Sequence, residues 1–259
     1  MLHFHFAEQG RGHSLIHNLD PRIKIIGAVL FIAASTILPS GSWPSYALLF
    51  IATLAVARYA QLGTLFAFKR SFVALPFALA AITLPFTVPG QPIAQWGGLT
   101  LSAEGAIRFI SIIVKSWVSV QMAILLTAVT PFHDLLWAMR ELRVPRPLVS
   151  IVGFMYRYLF VLADESTRLM RARAARAGQG AGKSGGSVLW RGRVAGGMVG
   201  NLMLRAFERS ERIYDAMASR GFSGDLLSIS PPIIIDRDRN ALVGWVTFIA
   251  MTLLIAFVF

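Results

Sequence analysis

Residues Ala106–Val129 read AIRFISIIVKSWVSVQMAILLTAV, and this stretch decides the fold class. It is longer than the roughly 20 apolar residues that a helix needs to cross a bilayer. A second stretch, Ala241–Phe259, reads ALVGWVTFIAMTLLIAFVF and carries no charge. Of the 259 residues 55% are hydrophobic and 15% charged, which is too little charge to cover a soluble domain of this length. The sequence therefore predicts an all-α integral membrane protein.

Three shorter apolar stretches precede these two and complete a prediction of about five transmembrane helices. They are Ile23–Leu38, Tyr46–Ala57 with flanks that extend it to about Leu62, and Phe72–Phe86. Pro76 and Pro85 interrupt the third, which a helix bundle tolerates because neighbouring helices satisfy the freed backbone groups. The chain then divides into residues 1–130 with four spans, residues 131–239 as a cytoplasmic helical insert, and residues 240–259 as the last span.

Basic residues alternate with uncharged loops along the chain. The loops Pro39–Ser45 and Thr87–Ser102 contain no Lys or Arg, whereas the region between the second and third spans holds Arg58, Lys69 and Arg70. The insert Thr130–Asn240 holds 17 basic and 10 acidic residues. By the positive-inside rule, the N-terminus and the insert face the cytoplasm.

Composition and the first residues exclude several classes of protein. There are no cysteines, so disulfides and thiolate metal sites are excluded. Met1–Asp20 lacks an apolar region before a small-residue cleavage site, so we predict no signal peptide. The net charge of +12 suits anionic lipid. We expect no nucleic acid partner, because no base-reading motif accompanies the charge.

The insert predicts three helical pieces and a linker, and two of the helices end in similar triplets. The pieces are Pro131–Leu142, Leu148–Ala177 and Asn201–Arg220, with the glycine-rich Gly178–Ser187 as a flexible linker. The triplets are Ala175-Arg176-Ala177 and Ser219-Arg220-Gly221, in register after a shift of 44 positions. Small neighbours let a helix end approach a partner closely, and a guanidinium can donate two parallel hydrogen bonds to a carboxylate. We interpret both triplets as docking sites for partner proteins, although a cation that merely caps its own helix would contribute about 0.3–1 kcal/mol.

The helix Asn201–Arg220 has one apolar face. At three-four spacing this face carries Met203, Ala206, Phe207, Ser210, Ile213, Tyr214 and Met217. Methionine is flexible and can repack against a partner that moves. We therefore predict a sliding interface formed by Met203, Phe207, Ile213, Tyr214 and Met217.

Ala177–Ser184 nearly matches a phosphate-binding loop. Gly182, Lys183 and Ser184 fit the motif, but Ala177 stands where its first glycine is needed. A helix precedes the loop, whereas the mechanism requires a strand. We interpret the segment as the flexible linker and expect no nucleotide or other cofactor on this chain.

Two further polar groups leave alternatives open. His3, His5, His13 and His17 could bind a transition metal or lie at the membrane surface, and we favour the surface because no further ligands accompany them. We therefore assign no metal site. The second group is a stripe on the span Ala106–Val129 and its start: Glu104, Arg108, Ser111, Lys115 and Ser119. It allows ion conduction or a structural interface in which Glu104 pairs with Arg108.

Motifs along nearly the whole chain resemble the T component of energy-coupling factor transporters, in its cobalt and nickel branch, the CbiQ type. Besides the two triplets, they are Leu19-Asp20-Pro21-Arg22-Ile23-Lys24, Leu99-Thr100 with Glu104-Gly105, Leu125-Leu126-Thr127 through Thr130-Pro131, and Phe154-Met155-Tyr156-Arg157-Tyr158-Leu159 with Asp164-Glu165 and Arg168. Ala177 departs from the usual Ala-Arg-Gly of the first triplet.

The resemblance implies a membrane scaffold and not an enzyme. Such a scaffold joins two ATP-binding-cassette ATPases, which bind ATP and Mg²⁺, to a membrane subunit that captures cobalt or nickel ions, with room for a small accessory membrane subunit. It implies the plasma membrane of a bacterium or archaeon. The alternatives are a T component that serves a vitamin, and a membrane metalloenzyme that uses the N-terminal histidines with Glu104 or Asp20.

Overall fold

The computed structural model describes residues 14–63, 68–74, 76, 81–96, 99–176, 187–224 and 235–258. The chain forms two compact units. The first unit comprises residues 1–142 and 230–259, and the second comprises residues 143–229.

The described residues are largely helical. In chain order the elements are α1 (Pro21–Ile37), α2 (Trp43–Tyr59), a 3-10 turn (Ser71–Ala74), α3 (Leu84–Thr87), β1 (Pro92–Trp96), β2 (Leu99–Ser102), α4 (Ala103–Val129), α5 (Phe132–Glu141), α6 (Arg146–Arg176), α7 (Val188–Ala218) and α8 (Asp236–Val258). The predicted all-α membrane class is confirmed, with one small β-hairpin added to it.

Local sequence determines where the first helices begin. The Asp20 carboxylate accepts a hydrogen bond from the Arg22 N–H at 2.8 Å, and Pro21 occupies the first turn of α1. Both features favour a helix start, because the carboxylate satisfies a free N–H and proline has none to lose. Gly41, at φ +93°, turns the chain toward α2, where Pro44 again lies in the first turn.

The core of the first unit lies between α1, α2, α4 and α8. Its buried apolar side chains include Phe31, Leu49, Val118 and Ile249. Trp245 of α8 stacks on Phe31 at 5.8 Å between ring centres and donates its Nε1–H to the Gly27 carbonyl at 3.0 Å. Glycine lets the indole approach the backbone of α1, as small residues do between membrane helices.

Only part of the third predicted span, Phe72–Phe86, lies within the described residues. There the chain forms the 3-10 turn, helical positions at Pro76 and Ala81, and the four-residue α3 with Pro85 in its first turn. Strands β1 and β2 follow as an antiparallel pair in which Gln95 pairs with Thr100. The sequence carried a hairpin signal that the loop prediction missed, because Gly97-Gly98 separates two short β-prone runs.

Three described helices are long and apolar enough to cross a membrane: α4, α6 and α8. Helices α1 and α2 have 17 residues each, at the lower limit of a crossing. The apolar part of α6 is its first half, whereas residues 164–176 include six charged side chains. That charged half does not suit the hydrocarbon core.

The second unit is an antiparallel helical hairpin of α6 and α7. Near one end the Ser150 hydroxyl donates to the Gly224 carbonyl at 2.9 Å, and Phe154 meets Phe222 edge-to-face at 5.9 Å. Toward the other end the Arg173 guanidinium lies 6.0 Å from the centre of the Trp190 ring. Each helix has 31 residues and is therefore roughly 46 Å long.

Candidate functional site

The second triplet lies in a sharply defined helix end. Gly221 adopts φ +80°, its N–H donates to the Ala218 carbonyl at 3.0 Å, and the Phe222 N–H donates to the Met217 carbonyl at 3.0 Å. This is the hydrogen-bond pattern of a Schellman motif, which ends a helix with a left-handed residue. Phe222 then packs on Phe154 of α6. The last turn of α7 is therefore held in one conformation.

Arg220 projects from this rigid end into solvent. Its backbone N–H donates to the Met217 carbonyl at 3.0 Å, while its side chain is exposed. Within the described part of the chain no carboxylate forms an ion pair with it. The guanidinium is therefore free to bind a partner's carboxylates or carbonyls in fork geometry.

The first triplet is described as far as its arginine. Arg176 is the last residue of α6, and both it and Ala175 are exposed. Ala177 and residues 178–186 of the predicted linker lie outside the described residues. Nothing in the described ranges pairs with the Arg176 guanidinium, so it too is available to a partner.

The hairpin separates the two arginines. Because α6 and α7 are antiparallel, Arg176 lies beside the start of α7 and Arg220 lies beyond its end. Along the hairpin axis the two arginines are therefore about 30 helical residues apart, which corresponds to roughly 45 Å. One docking groove cannot hold both side chains, whereas two separate partner sites can.

Glu165 connects the two helices midway along the hairpin. Its carboxylate accepts hydrogen bonds from Arg168 at 2.6 Å and from Arg205 of α7 at 3.0 Å, and Arg209 of α7 lies 3.7 Å away. The Glu165 side chain is 13% exposed. The hydrogen bond from Arg205, together with the charges of the three guanidinium groups, lowers the pKa of the Glu165 carboxyl. Glu165 therefore stays ionised and holds α6 against α7.

The predicted sliding face of α7 divides into two stripes. Met203, Phe207 and Tyr214 are 58%, 59% and 64% exposed, and Ser210 is exposed with them. Ala206, Ile213 and Met217 form the other stripe and are partly buried. An apolar periodicity of three and four residues covers both stripes, so the sequence did not separate them. The exposed stripe is the part of the predicted interface that remains open to a partner.

The polar stripe on α4 makes structural contacts at its start. Glu104 accepts a hydrogen bond from the Gln91 N–H at 2.8 Å, and the Ser111 hydroxyl accepts one from the Gly41 N–H at 3.1 Å. Among the described ion pairs Glu104 does not bind Arg108, so that part of the expectation is wrong. The carboxylate instead satisfies a loop N–H that has no partner in a strand or helix.

The same stripe continues with contacts to α1. The Lys115 ammonium donates to the Leu38 carbonyl, at the C-terminus of α1, and Ser119 shares a hydrogen bond with Ser35 at 2.7 Å. A cation at a helix C-terminus is stabilised by the free carbonyls there. These groups tie α1 to α4 and therefore favour the structural interface over ion conduction.

The motif Leu19–Lys24 fastens α1 to its neighbours. Arg22 lies 4.3 Å over the Trp137 ring of α5 and 3.7 Å from the Glu141 carboxylate. The Lys24 ammonium donates to the His17 carbonyl at 2.8 Å and also reaches the end of α4. The motif therefore holds α5, which ends two residues before the second unit begins.

The N-terminal histidines provide no described metal centre. His3, His5 and His13 lie outside the described residues, and the His17 Nδ1 forms a hydrogen bond with the Ser14 hydroxyl at 2.6 Å. Within the described ranges no three His, Cys, Asp or Glu side chains group together.

Two contacts of the hairpin had weak signals in the sequence. Phe222 follows Gly221, and an apolar residue at that position often accompanies a Schellman motif. Asp164 and Glu165 are the last acidic residues before Glu208. Their position before a run of arginines indicates a carboxylate that several arginines share, but not which arginines these are.

Comparison with known proteins identifies relatives over most of the chain. A sequence profile of the CbiQ family, described as cobalt transport protein, matches residues 12–229. The energy-coupling factor transporter transmembrane protein EcfT of Lacticaseibacillus paracasei is 26% identical over 223 residues, which cover 82% of this chain and 83% of the relative. The cobalt transport protein CbiQ of Rhodobacter capsulatus is 28% identical over 171 residues, covering 64% and 68%. An uncharacterized protein of Methanocaldococcus jannaschii is 27% identical over 231 residues, covering 86% and 77%.

Proposed function

The chain belongs to the CbiQ family of cobalt transport proteins, and on that basis we propose that it couples two ATP-binding-cassette ATPases to a membrane subunit that captures cobalt or nickel ions. The chain is a transmembrane T component of an energy-coupling factor transporter, and its family is one of transport proteins and not of enzymes. In this proposal ATP and Mg²⁺ bind to the partner ATPases. The chain lies in a bacterial or archaeal plasma membrane, with its N-terminus and its insert in the cytoplasm.

One observation carries the proposal: two exposed arginines lie at opposite ends of one antiparallel hairpin, roughly 45 Å apart. Each arginine docks into a groove on one ATPase, where its guanidinium binds acidic side chains or backbone carbonyls. The spacing lets a single scaffold hold two subunits at once. The Schellman motif supports this role at Arg220, because it presents the side chain from a fixed backbone.

The hairpin passes ATPase movement to the capture subunit in this mechanism. Glu165 bonds arginines on both helices, so a displacement at one helix end moves the hairpin as a body rather than sliding α6 past α7. The exposed stripe of Met203, Phe207 and Tyr214 is the surface that slides against the capture subunit. The flexible methionine lets this contact repack as the capture subunit tilts.

The family profile favours a transition metal as cargo, since its description names cobalt. The relatives named EcfT match a larger share of the chain than the Rhodobacter CbiQ does, at 82% against 64%. A T component that serves a vitamin is therefore the second candidate. The substrate binds on the capture subunit, so uptake by the whole complex distinguishes the two.

The test is purification of the tagged chain from its host membranes together with whatever ATPases and membrane subunits it retains. Arg176→Ala and Arg220→Ala should each weaken ATPase retention, and the double variant should lose nearly all of it. Removing one partner of a buried charge-assisted contact costs about 2–5 kcal/mol, or at least roughly 30-fold in affinity. Arg176→Lys and Arg220→Lys should also retain the ATPases poorly, because an ammonium cannot donate the two parallel hydrogen bonds of a guanidinium.

Arg212→Ala is the matched control, because Arg212 is an exposed arginine of α7 away from both helix ends. It should retain the ATPases and transport normally. Uptake of radioactive cobalt and nickel by the intact complex then assigns the cargo, and uptake of neither metal would redirect the assignment to a vitamin. A double Ala variant that keeps its ATPases and transports normally would refute the docking role.

A further inference from the structure

The positive charge of the insert is concentrated at one end of the hairpin. Residues 166–207 contain eight basic and no acidic side chains, whereas the rest of the insert contains nine basic and ten acidic ones. The whole excess charge therefore comes from the second half of α6, the linker and the first part of α7. Docking through Arg176 uses one of these eight cations, and Glu165 binds two more, Arg168 and Arg205. The remaining five have no role in the proposed function: Arg171, Arg173, Lys183, Arg191 and Arg193.

Exposed apolar residues lie among these cations. Val188, Leu189 and Trp190 are 79%, 86% and 49% exposed at the start of α7. The Ser187 hydroxyl accepts a hydrogen bond from the Trp190 N–H at 3.3 Å and so fixes the helix start. Consecutive helix residues point in different directions, so these three side chains do not form one helix-packing stripe. Their packing partner must therefore be able to surround a helix end.

One contact within the hairpin places a cation of α6 beside an aromatic ring of α7. The Arg173 guanidinium lies 6.0 Å from the Trp190 ring centre, which places the end of α6 beside the start of α7. Arg171, Arg191 and Arg193 lie within three residues of this pair along α6 and α7 and are also exposed. We call the surface formed by Arg171, Arg173, Leu189, Trp190, Arg191 and Arg193 the tip surface.

We propose that the tip surface binds anionic phospholipids of the cytoplasmic leaflet, with Leu189 and Trp190 inserted among the headgroups. Clustered arginines attract the negative surface of that leaflet, and tryptophan and leucine favour its interface. Arg191 and Arg193 also lie near the N-terminus of α7, where the helix dipole disfavours cations. A layer of lipid phosphates on the tip surface offsets that repulsion.

An acidic groove on a protein is the competing partner, and the exposed apolar side chains argue against it. A groove that recognises a guanidinium needs a fixed geometry, as at Arg220. The tip surface instead combines diffuse charge with two apolar side chains, Leu189 and Trp190, that point in different directions. A fluid interface accommodates such an arrangement without a matched pocket.

The test uses the full chain, without ATPases, in nanodiscs of phosphatidylcholine alone or mixed with phosphatidylglycerol. Because the chain has no cysteine, Leu189→Cys carries a single environment-sensitive fluorophore. In the anionic discs its emission should shift to the blue and be quenched by lipid-attached quenchers, and high salt should reverse both changes. In discs of phosphatidylcholine alone the fluorophore should show the emission of a water-exposed probe and should not be quenched by the lipid-attached quenchers.

Leu204→Cys is the matched control, since Leu204 is an exposed leucine of α7 outside the tip surface, and its signal should not depend on lipid charge. Replacing Arg171, Arg191 and Arg193 by glutamine should reduce the quenching at position 189 roughly tenfold, because three cations that attract the anionic leaflet are lost, and replacing them by lysine should preserve it. Three outcomes would overturn the proposal. The fluorophore at position 189 could show a water-exposed emission in both kinds of disc, the fluorophore at position 204 could be quenched by lipid to the same extent, or position 189 could become shielded from water only after ATPases are added.

Discussion

Replacing Gly221 with alanine isolates the contribution of helix-end geometry to ATPase docking. Gly221 adopts φ +80°, and a Cβ added there would meet no atom within 4 Å. The substitution therefore creates no clash, and its cost is the left-handed backbone, about 1–2 kcal/mol for a residue with a Cβ. If docking requires Arg220 in the observed geometry, the affinity for the ATPase should fall about 5- to 30-fold.

The assay is a titration of purified ATPases onto the nanodisc-embedded chain, with Kd measured for each variant. Gly221→Asn should lose much less affinity, because asparagine tolerates the left-handed region. Gly200→Ala is the matched control within α7, where an added Cβ meets nothing within 4 Å and the helical backbone suits alanine. It should leave Kd unchanged. The reasoning is refuted if Gly221→Ala binds as the unmodified chain does while Arg220→Ala loses docking.

Three further predictions concern the hairpin. The affinity losses of Arg176→Ala and Arg220→Ala should add within about 0.5 kcal/mol, because the residues lie roughly 45 Å apart, and a larger coupling in the same titration would argue against separate sites. A cysteine at the exposed Met203 should change its crosslinks to the capture subunit when nucleotide binds, whereas one at the partly buried Met217 should crosslink less in both states; equal patterns would contradict the two-stripe division. Glu165→Gln should lower the thermal unfolding midpoint of the hairpin. Folding lowers the pKa of Glu165. The carboxylate therefore contributes fully to the stability of the hairpin above the ordinary pKa of 4.5, and this contribution is lost as the pH falls through the lowered pKa of the folded state. Fluorescence-monitored unfolding across that range should therefore show acid sensitivity that the Gln variant lacks.

The sequence alone determined the membrane class and the family. Long apolar runs such as Ala106–Val129 are sufficient to predict the membrane class, because the ability of a helix to cross a bilayer depends on its own length and composition and not on neighbouring segments. Helix ends were also readable, since Asp20 before Pro21 and Gly221 after Arg220 act through local backbone chemistry.

Tertiary structure decided which of these features meet. Glu165 and Arg205 are 40 positions apart, and Lys115 and Leu38 are 77 apart. Residue periodicity shows that a helix has an apolar face, but not which stripe of that face a second helix covers, so Met203 and Met217 had the same expected role. The polar groups on α4 allowed an ion path as an interpretation because their spacing shows that they share a face, but not that α1 packs against that face. A buried or half-buried polar group must find a partner, and the identity of that partner depends on which distant segment folds beside it.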